Sequence, residues 1–372
     1  MRLMKVAIVH DFIKEFGGAE RVLRVLADMY PEAPIFTAFR VRGSACDKEF
    51  ADRKIVESGW AWLIRRWRLY SPLRFLLPWI WGSIDLSDYD LVITSCSGYI
   101  ARGFRVGDKT KVVAYCHTPP RFLYGYETSI DLQKYWPVKI YAYVVNHFLR
   151  KFDFETANRV DKWVVNSRNV QNRVKKFYRK DSVIIYPPIE IDKFGGKFDD
   201  LSREDYFLIV SRLVGAKGLE EAARAASELG FELKIAGGSA GYTKVEERLK
   251  EMRVEMLGRV SDEELVSLYT KAKGFIALAK DEDFGMTVVE SMAVGTPVIA
   301  FNGGGFRETV KEGVTGVLIN GTDVNSIRKG MDKFNKIKWD EDKIKKWAKR
   351  FSRERFEKEF EGITKEDWNG KN

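Results

Sequence analysis

The segment around Gly285 constrains the fold of this chain more than any other. Residues 275–279 form a short apolar run typical of a buried strand, and after a charged loop Gly285 opens a helix with one apolar side. Gly295 stands where a glycine commonly ends a helix, and Pro297 prevents the helix from continuing. Because residues 298–301 form a second apolar run, the pattern predicts a strand–loop–helix–strand unit of a parallel α/β sheet.

The loop before this helix has the geometry of an anion site. The amides of Gly285, Met286 and Thr287 have no partner inside the helix, and the helix dipole adds a partial positive charge there. Glu282 on the loop and Glu290 on the helix can both face a ligand bound at this point. A carboxylate beside an anion is unfavourable unless it binds hydroxyls. We therefore predict that Glu290 contacts a ribose and Glu282 a sugar; the alternative is a surface acidic loop before an ordinary helix.

The same segment resembles the donor-site signature of the retaining glycosyltransferases of family four, which have the two-domain GT-B fold. That signature is E-x-F-G-x-x-x-x-E, then G-x-P-V-I, then a glycine-rich turn followed by Glu. The matching residues are Glu282, Phe284, Gly285, Glu290, Gly295, Pro297, Val298, Ile299 and residues 303–308. The resemblance implies that Glu282 binds the donor sugar and Glu290 the ribose.

The predicted fold class is α/β, with two Rossmann-like, doubly wound parallel-sheet domains facing across a cleft in the GT-B manner. A length of 372 residues is enough for two domains that each bury a core. We predict an acceptor-side domain at residues 1–188, a nucleotide-sugar donor domain at 189–350, and a C-terminal helix at 351–372 that returns to the first domain. The polar segment 190–205 is the predicted linker.

Composition excludes several classes of protein. The three cysteines, Cys46, Cys96 and Cys116, show no paired spacing, which favours a reducing cytoplasm over a disulfide framework or a zinc site. No signal peptide and no run of 18 apolar residues is visible. A formal net charge of +10 indicates an anionic partner such as a nucleotide, a phosphate or a membrane surface. The sequence thus predicts a cytoplasmic protein, peripheral on the inner face of the membrane.

Two motifs in the first half carry candidate site residues. Gly17 and Gly18 follow a predicted strand and permit close approach of the backbone to a phosphate or sugar, although such a pair is more often a tight turn. They lie in a segment that resembles the family's H-D-x-x-x-x-x-G-G-A-E-R-V. His117 follows the predicted strand 111–116 and is, taken alone, more often structural. It lies in C-H-T-P-P-R, which resembles the lipopolysaccharide-type mannosyltransferase branch and implies that His117 lies beside the donor sugar.

A cation pair lies at the first strand–helix junction of the second half. Arg212 ends a predicted strand and Lys217 begins the next helix, so both are placed to bind a phosphate; the alternative is a solvated basic turn. The segment resembles the family's S-R-L-x-x-x-K, although Gly215 and Gly218 replace other residues of that loop. Further along, Arg259 and Val260 follow a glycine, and the resemblance implies that their backbone holds the nucleotide base.

Together these motifs predict a retaining glycosyltransferase that moves a hexose to an acceptor hydroxyl of a lipid-linked glycan. The mannosyltransferase-like motifs favour GDP-mannose as the donor, with a UDP-hexose as the main rival. A nucleotide-sugar epimerase and a non-catalytic nucleotide-sugar binding protein are further alternatives, and nucleic acid is not expected as a partner. Because Arg212, Lys217 and the helix end supply positive charge, we expect no metal and no other cofactor. The run Asp281–Glu282–Asp283 resembles a metal-binding pattern but lies inside the sugar motif.

The segment 58–84 differs in composition from the rest of the chain. It contains five of the ten tryptophans and four arginines, Arg65, Arg66, Arg68 and Arg74, with no acid before Asp85. A mixture of tryptophan, leucine and arginine is typical of helices that lie in a membrane interface. Since Pro72 and Pro78 divide it, we predict short helices lying flat on an anionic surface; the alternative is a buried helical pair.

Overall fold

The computed structural model describes residues 4–67, 72–126, 135–191, 202–238, 245–252 and 254–369. The chain forms two compact units, with the first spanning residues up to Pro188 and from Phe356 onward and the second spanning Ile189–Arg355. Each unit is built on its own parallel sheet. The predicted α/β class with two Rossmann-like parallel-sheet domains is confirmed. Most of the predicted linker, residues 192–201, lies outside the described residues.

The described part of the first unit contains a seven-stranded sheet in the order β3-β2-β1-β4-β5-β6-β7. Its strands are β1 Val6–His10, β2 Ile35–Thr37, β3 Ile55–Glu57, β4 Leu91–Cys96, β5 Lys111–Cys116, β6 Lys162–Val165 and β7 Val183–Ile184. Its helices up to β7 are α1 Gly18–Met29, α2 Ala45–Glu49, α3 Ala61–Trp67, α4 Leu77–Gly82, α5 Trp136–Ala157 and α6 Arg168–Tyr178, with 3-10 turns at Pro72–Leu76 and Arg121–Leu123.

The described part of the second unit contains a six-stranded sheet in the order β10-β9-β8-β11-β12-β13. Its strands are β8 Tyr206–Val210, β9 Glu232–Ala236, β10 Glu255–Gly258, β11 Gly274–Ala277, β12 Val298–Phe301 and β13 Gly316–Ile319. Its helices are α7 Leu219–Leu229, α8 Val245–Lys250, α9 Asp262–Lys271, α10 Met286–Ala293, α11 Phe306–Thr309, α12 Val324–Lys336 and α13 Glu341–Ala348, with 3-10 turns at Gly215–Lys217 and Lys349–Phe351. Helix α14, Arg353–Asn369, ends the described chain.

Alternation along the strands of the first unit divides its core between the two faces of the sheet. Ala7 and Val9 of β1 face one apolar cluster, whereas Ile8 faces the other, because successive side chains of a strand point to opposite faces. Both faces are buried, which explains why these strands read as continuous apolar runs. Phe356 and Phe360 of α14 belong to the cluster on the Ile8 face.

Local capping signals explain several element ends. The Ser167 hydroxyl accepts a hydrogen bond from the Val170 amide at the start of α6, and Ser261 and Glu264 form the predicted capping box of α9. Gly295, just after α10, has a φ of 85°, a backbone conformation that glycine adopts at low cost. A side chain there would also collide with Glu341.

The tryptophan- and arginine-rich segment is neither wholly buried nor wholly exposed. As predicted, the chain forms short helices broken near the two prolines, here α3, the 3-10 turn Pro72–Leu76 and α4. Trp81 is fully buried and its indole N–H donates to the Tyr99 carbonyl, whereas Trp62 and Trp79 are exposed. Arg68 lies outside the described residues.

Two of the arginines in this segment have partners from outside it. Arg65 forms an ion pair with Glu57, one residue before the segment, and the Arg74 guanidinium lies 4.2 Å from the centre of the Phe122 ring. Burial lowers the pKa of Arg74. The absence of acids within 58–84 therefore does not leave Arg65 or Arg74 without a partner in the fold. Within the described ranges, no helix is long and apolar enough to cross a membrane.

Candidate active site

The centre of the candidate site in the second unit is the point where the strand order reverses. Strands β8 and β11 are neighbours there, and the chain leaves them toward opposite edges of the sheet. Ligands of open parallel sheets bind at the carboxyl ends of the strands at such a point. Lys217 follows β8, Glu282 follows β11, and the Lys217 Nζ lies 2.6 Å from the Glu282 Oε2. The structure thus brings together two of the predicted catalytic side chains, while Arg212, after the same strand as Lys217, is exposed.

The glycine-rich turn after β12 shapes the loop that carries Glu282. The Gly305 amide donates to the Glu282 carbonyl at 2.8 Å. A Cβ added at Gly304 would lie 2.3 Å from that carbonyl oxygen, and one at Gly305 would lie 2.4 Å from the Phe284 Cα. Gly285 has a φ of 94° and its added Cβ would meet the Phe306 ring at 2.7 Å. A side chain at any of these three positions would collide with its neighbour, so glycine is required there.

Close backbone packing also positions the other predicted residues. A Cβ at Gly218 would lie 2.6 Å from that of Leu278, so the Lys217 turn rests directly on the end of β11. The Arg259 side chain lies across Gly238, where an added Cβ would be 2.8 Å from the Arg259 Nε. Val260 is half-buried beside it. The loops after β8, β9, β10 and β11 therefore meet along one edge of the sheet.

Helix α10 begins at Gly285, with Met286 and Thr287 half-buried in its first turn. Phe284, just before it, is buried against Phe351. Glu290 is only 1% exposed, and one of its carboxylate oxygens accepts a hydrogen bond of 2.9 Å from the Tyr269 hydroxyl. Tyr269 thereby fixes the orientation of this carboxylate.

In the first unit, a chain of four side chains crosses the carboxyl ends of three adjacent strands. Glu20 accepts from the Gly17 amide through Oε2, and its Oε1 lies 3.4 Å from the His10 Nε2. The His10 Nδ1 lies 3.0 Å from the Ser95 hydroxyl, which lies 2.8 Å from the His117 Nε2. His117, the predicted catalytic histidine, is thus connected to the Gly17–Gly18 loop.

The hydroxyl of Ser95 links the proton positions of the two imidazoles. Ser95 has a single hydroxyl proton, so it can donate to one of its two histidine neighbours and must accept from the other. Which nitrogen of His117 carries the proton is therefore set by the proton on the His10 Nδ1. When Ser95 donates to His10, it accepts from the Nε2–H of His117, and the His117 Nδ1 can accept a hydrogen bond from a ligand hydroxyl.

The loop after β1 is held by one carboxylate. Asp11 accepts from the backbone amides of Ser97, Tyr99 and Ala101 and from the Ser97 hydroxyl, over distances of 2.7–3.1 Å. Burial raises the pKa of Asp11, while His10 and these donors oppose that shift. Asp11 therefore fixes the loop after β1 against the loop after β4 and positions His10.

Burial, with a smaller contribution from the neighbouring His10, lowers the pKa of His117 to about 3. Because the unfolded chain takes up a proton at this imidazole near pH 6.5 and the folded chain does not, stability is expected to fall as pH decreases below that value. Between pH 7 and pH 5 the parent should lose about 2 kcal/mol of its free energy of unfolding through this imidazole. The variant His117→Gln should not show this loss. Urea titrations at both pH values measure it, and equal pH dependence in the two proteins would contradict the assignment.

Five of these residues, His10, Asp11, Glu20, Ser95 and Tyr269, were not among the predicted site residues. His10, Asp11 and Glu20 lie in the segment that resembles the family's H-D-x-x-x-x-x-G-G-A-E-R-V, a signal that could have identified them. Ser95 is a polar residue at the carboxyl end of an apolar run, which is a further signal. Tyr269 gave no signal, because it acts through a contact that only the folded chain creates. The remaining predicted residues lie at the carboxyl edges of the two sheets.

Among the described residues, no group of three His, Cys, Asp or Glu side chains is arranged to hold a metal ion. The fold and these edges define the chain as a two-domain, Rossmann-like α/β protein. The family model for Glycosyltransferase Family 4 matches residues 16–193, and the model for Glycosyl transferases group 1 matches residues 190–351. Together they identify the chain as a glycosyltransferase of the GT-B type.

Individual relatives and solved structures are similar to this chain. An uncharacterized glycosyltransferase of Methanocaldococcus jannaschii, MJ1178, is 28% identical over 180 residues, which are 48% of this chain and 50% of the relative. The chain thus spans about half the length of that relative. An uncharacterized 41.2 kDa protein of the cps region of Klebsiella pneumoniae is 25% identical over 75% of this chain and 78% of its own length. Anabaena HepE, solved with UDP and glucose, shares the fold with a TM-score of 0.68 at 17% identity over 98% of this chain and 100% of HepE.

Proposed function

We propose that this protein transfers a hexose from a nucleoside diphosphate sugar to an acceptor hydroxyl with retention of the anomeric configuration. The observation that carries the proposal is the Lys217–Glu282 pair at the reversal of strand order, in the loop that leads into the N-terminus of α10. The Lys217 ammonium can bind the diphosphate, and the Glu282 carboxylate can bind the sugar hydroxyls. The amides at the N-terminus of α10 can bind further phosphate oxygens.

In the proposed reaction, the bond between the sugar C1 and the diphosphate oxygen breaks, and the acceptor oxygen attacks C1 from the same face. The acceptor proton passes to the departing phosphate oxygen. Negative charge grows on the leaving diphosphate, and Lys217, Arg212 and the α10 amides stabilise it. Glu282 holds the hexose hydroxyls, Glu290 the ribose, and the Nδ1 of His117 accepts from a sugar hydroxyl.

We propose GDP-mannose as the donor, on the resemblance of the His117 and Glu282 motifs to the mannosyltransferase branch, and a lipid-linked glycan as the acceptor. The rival is a UDP-hexose, the class of donor found in the HepE complexes. A thermal-shift series with GDP- and UDP-sugars separates these donors. NMR of the product formed on an alkyl glycoside acceptor then reads the anomeric configuration. Free epimerised nucleotide sugar without transfer, or an inverted product, would contradict the proposal.

The two glutamates are expected to affect different parts of the donor. Glu290→Ala should weaken binding of the bare nucleoside diphosphate and the sugar nucleotide alike, because both contain the ribose. Glu282→Ala should weaken the sugar nucleotide selectively, because only that ligand presents the hexose. Isothermal calorimetry with both ligands measures the difference. Equal losses for both ligands in both variants would refute the division.

Turnover is expected to persist in a strong chelator, because Lys217, Arg212 and the helix amides are proposed to carry the charge of the leaving diphosphate. Initial rates in excess EDTA, compared with rates in added magnesium or manganese, measure this dependence. Loss of activity that either metal restores would instead assign a metal-binding role to the run from Asp281 to Asp283.

A further inference from the structure

Helix α5 presents an apolar face to solvent. We define the α5 stripe as Trp136, Ile140, Tyr143, Val144 and Phe148, which the spacing of three and four residues places on one side of the helix. Trp136 is 73% exposed, Tyr143 79% and Phe148 66%. The buried residues of α5 begin only at Leu149 and lie on the other side. A helix of a globular protein normally turns polar residues to water, so the stripe indicates a partner.

The charged side chains between Trp136 and Arg150 are all basic. Over this span the helix carries Lys139 and Arg150 and no acid. Beyond it, Asp153 is buried, and Lys151 lies 3.9 Å from the exposed Glu155. Lys139 and Lys151 are both exposed. The stripe therefore combines aromatic and aliphatic side chains with cations, a combination that complements a surface of anionic headgroups over hydrocarbon.

The stripe is continuous with the exposed part of the tryptophan-rich segment. The Tyr141 hydroxyl of α5 donates to the Pro72 carbonyl, which begins the 3-10 turn Pro72–Leu76. Phe75 in that turn and Trp79 in α4 are also exposed. The apolar surface thus extends from α5 across two neighbouring elements of the same unit. Arg65 and Arg74 have partners within the fold and Arg66 is exposed, so the α5 cations Lys139 and Lys151 add to the positive charge of this segment.

We propose that the α5 stripe, with Phe75 and Trp79, docks this protein on an anionic lipid bilayer, with α5 lying in the plane of the interface. The helix does not span, because no described helix is long and apolar enough to do so. A second copy of this chain is the rival occupant, which the oligomeric state in solution distinguishes from the bilayer. This inference rests on the surface of the first unit and not on the proposed reaction.

The test is co-sedimentation with vesicles of phosphatidylcholine and phosphatidylglycerol, without donor or acceptor. Binding should require the anionic lipid and weaken as salt increases. Lys139→Gln and Lys151→Gln should each weaken binding roughly fivefold, the effect of removing one cation near such a surface. The triple variant Ile140→Ser, Val144→Ser, Phe148→Ser should weaken it by roughly tenfold or more, because it removes three inserted side chains.

The matched control is Val183→Ser on β7, which removes a side chain of comparable partial exposure from another part of the same unit and should leave binding unchanged. Circular dichroism melts check that every variant folds. Quenching by lipids brominated in the acyl chain should decrease in Trp136→Phe, which reports insertion rather than adsorption.

Three results would overturn the proposal. These are absence of binding to anionic vesicles at low salt, binding that the triple variant leaves unchanged, and a dimer in vesicle-free solution that the triple variant dissociates. The last result would assign the stripe to a subunit interface. Donor binding, followed separately by calorimetry, distinguishes failure of this proposal from failure of the proposed function.

Discussion

Lys217→Ala and Arg212→Ala are each expected to lower turnover at saturating donor by roughly 10²–10³, the cost of removing one preorganised group that stabilises transition-state charge. The physical reason is that negative charge grows on the leaving diphosphate, beside the turn after β8. Lys217 should show the larger effect, because its removal also leaves the Glu282 carboxylate without the ammonium 2.6 Å away. Single-turnover kinetics with saturating donor measure the chemical step directly.

The chain offers a matched control for the lysine. Lys273 forms a pair with Asp205 of the same length, 2.6 Å, but immediately before β11 and β8, at the amino edge of the sheet. Lys273→Ala removes the same charge and the same kind of contact from the opposite edge, so it should turn over at the parent rate. If Lys217→Ala and Arg212→Ala also keep the parent rate, the assignment of these two residues to the diphosphate is wrong.

Asp153→Ala is expected to destabilise the first unit by about 3–5 kcal/mol, because it leaves a buried guanidinium without its counter-charge. Asp153 is fully buried, forms an ion pair with Arg102, and accepts from the hydroxyls of Tyr124 at 2.7 Å and Tyr178 at 3.2 Å. The Arg102 guanidinium also lies 5.1 Å from the centre of the Trp163 ring. Hydrogen exchange of β4 and β5 amides along a urea titration measures the loss within this unit.

Two further variants separate the charge from the packing. Arg102→Met combined with Asp153→Ala removes both partners and should recover part of the lost stability, because no uncompensated charge remains. Glu155→Ala, on the exposed side of the same helix, should cost less than about 0.5 kcal/mol, as a solvated ion pair does. A loss below about 1 kcal/mol for Asp153→Ala would contradict a charge-compensating role.

A strand was predictable from the sequence where its own residues form a clear apolar run. The run 111–116 is apolar enough to be identified alone, and it coincides with β5. Strands β2 and β3 were missed, because three residues give no measurable period and these strands are defined by pairing with β1 and with each other.

The types of residue in the site were predictable from the sequence, but the side chains that surround them in the folded chain were less so. The spacing of Glu282 and Glu290 indicated a shared ligand, but nothing in the sequence showed that Tyr269 would bury and orient Glu290. The composition of residues 58–84 indicated a surface role. Among the described residues, the larger exposed apolar face is on α5. Both differences arise because burial depends on neighbours that are distant along the chain.

Helix α14 has a consequence for the biosynthesis of this protein. Its Phe356 and Phe360 pack near Tyr115 of β5, with ring centres 5.6 and 6.4 Å apart, in the core of the first unit. The ribosome completes the other residues of that unit at Pro188, and Phe356 follows after a further stretch of about 170 residues, roughly 10–30 s of elongation. During that time Tyr115 lacks both of these phenylalanine neighbours on its face of the nascent sheet. The unit whose first residues emerge before those of the other is therefore the last of the two to close.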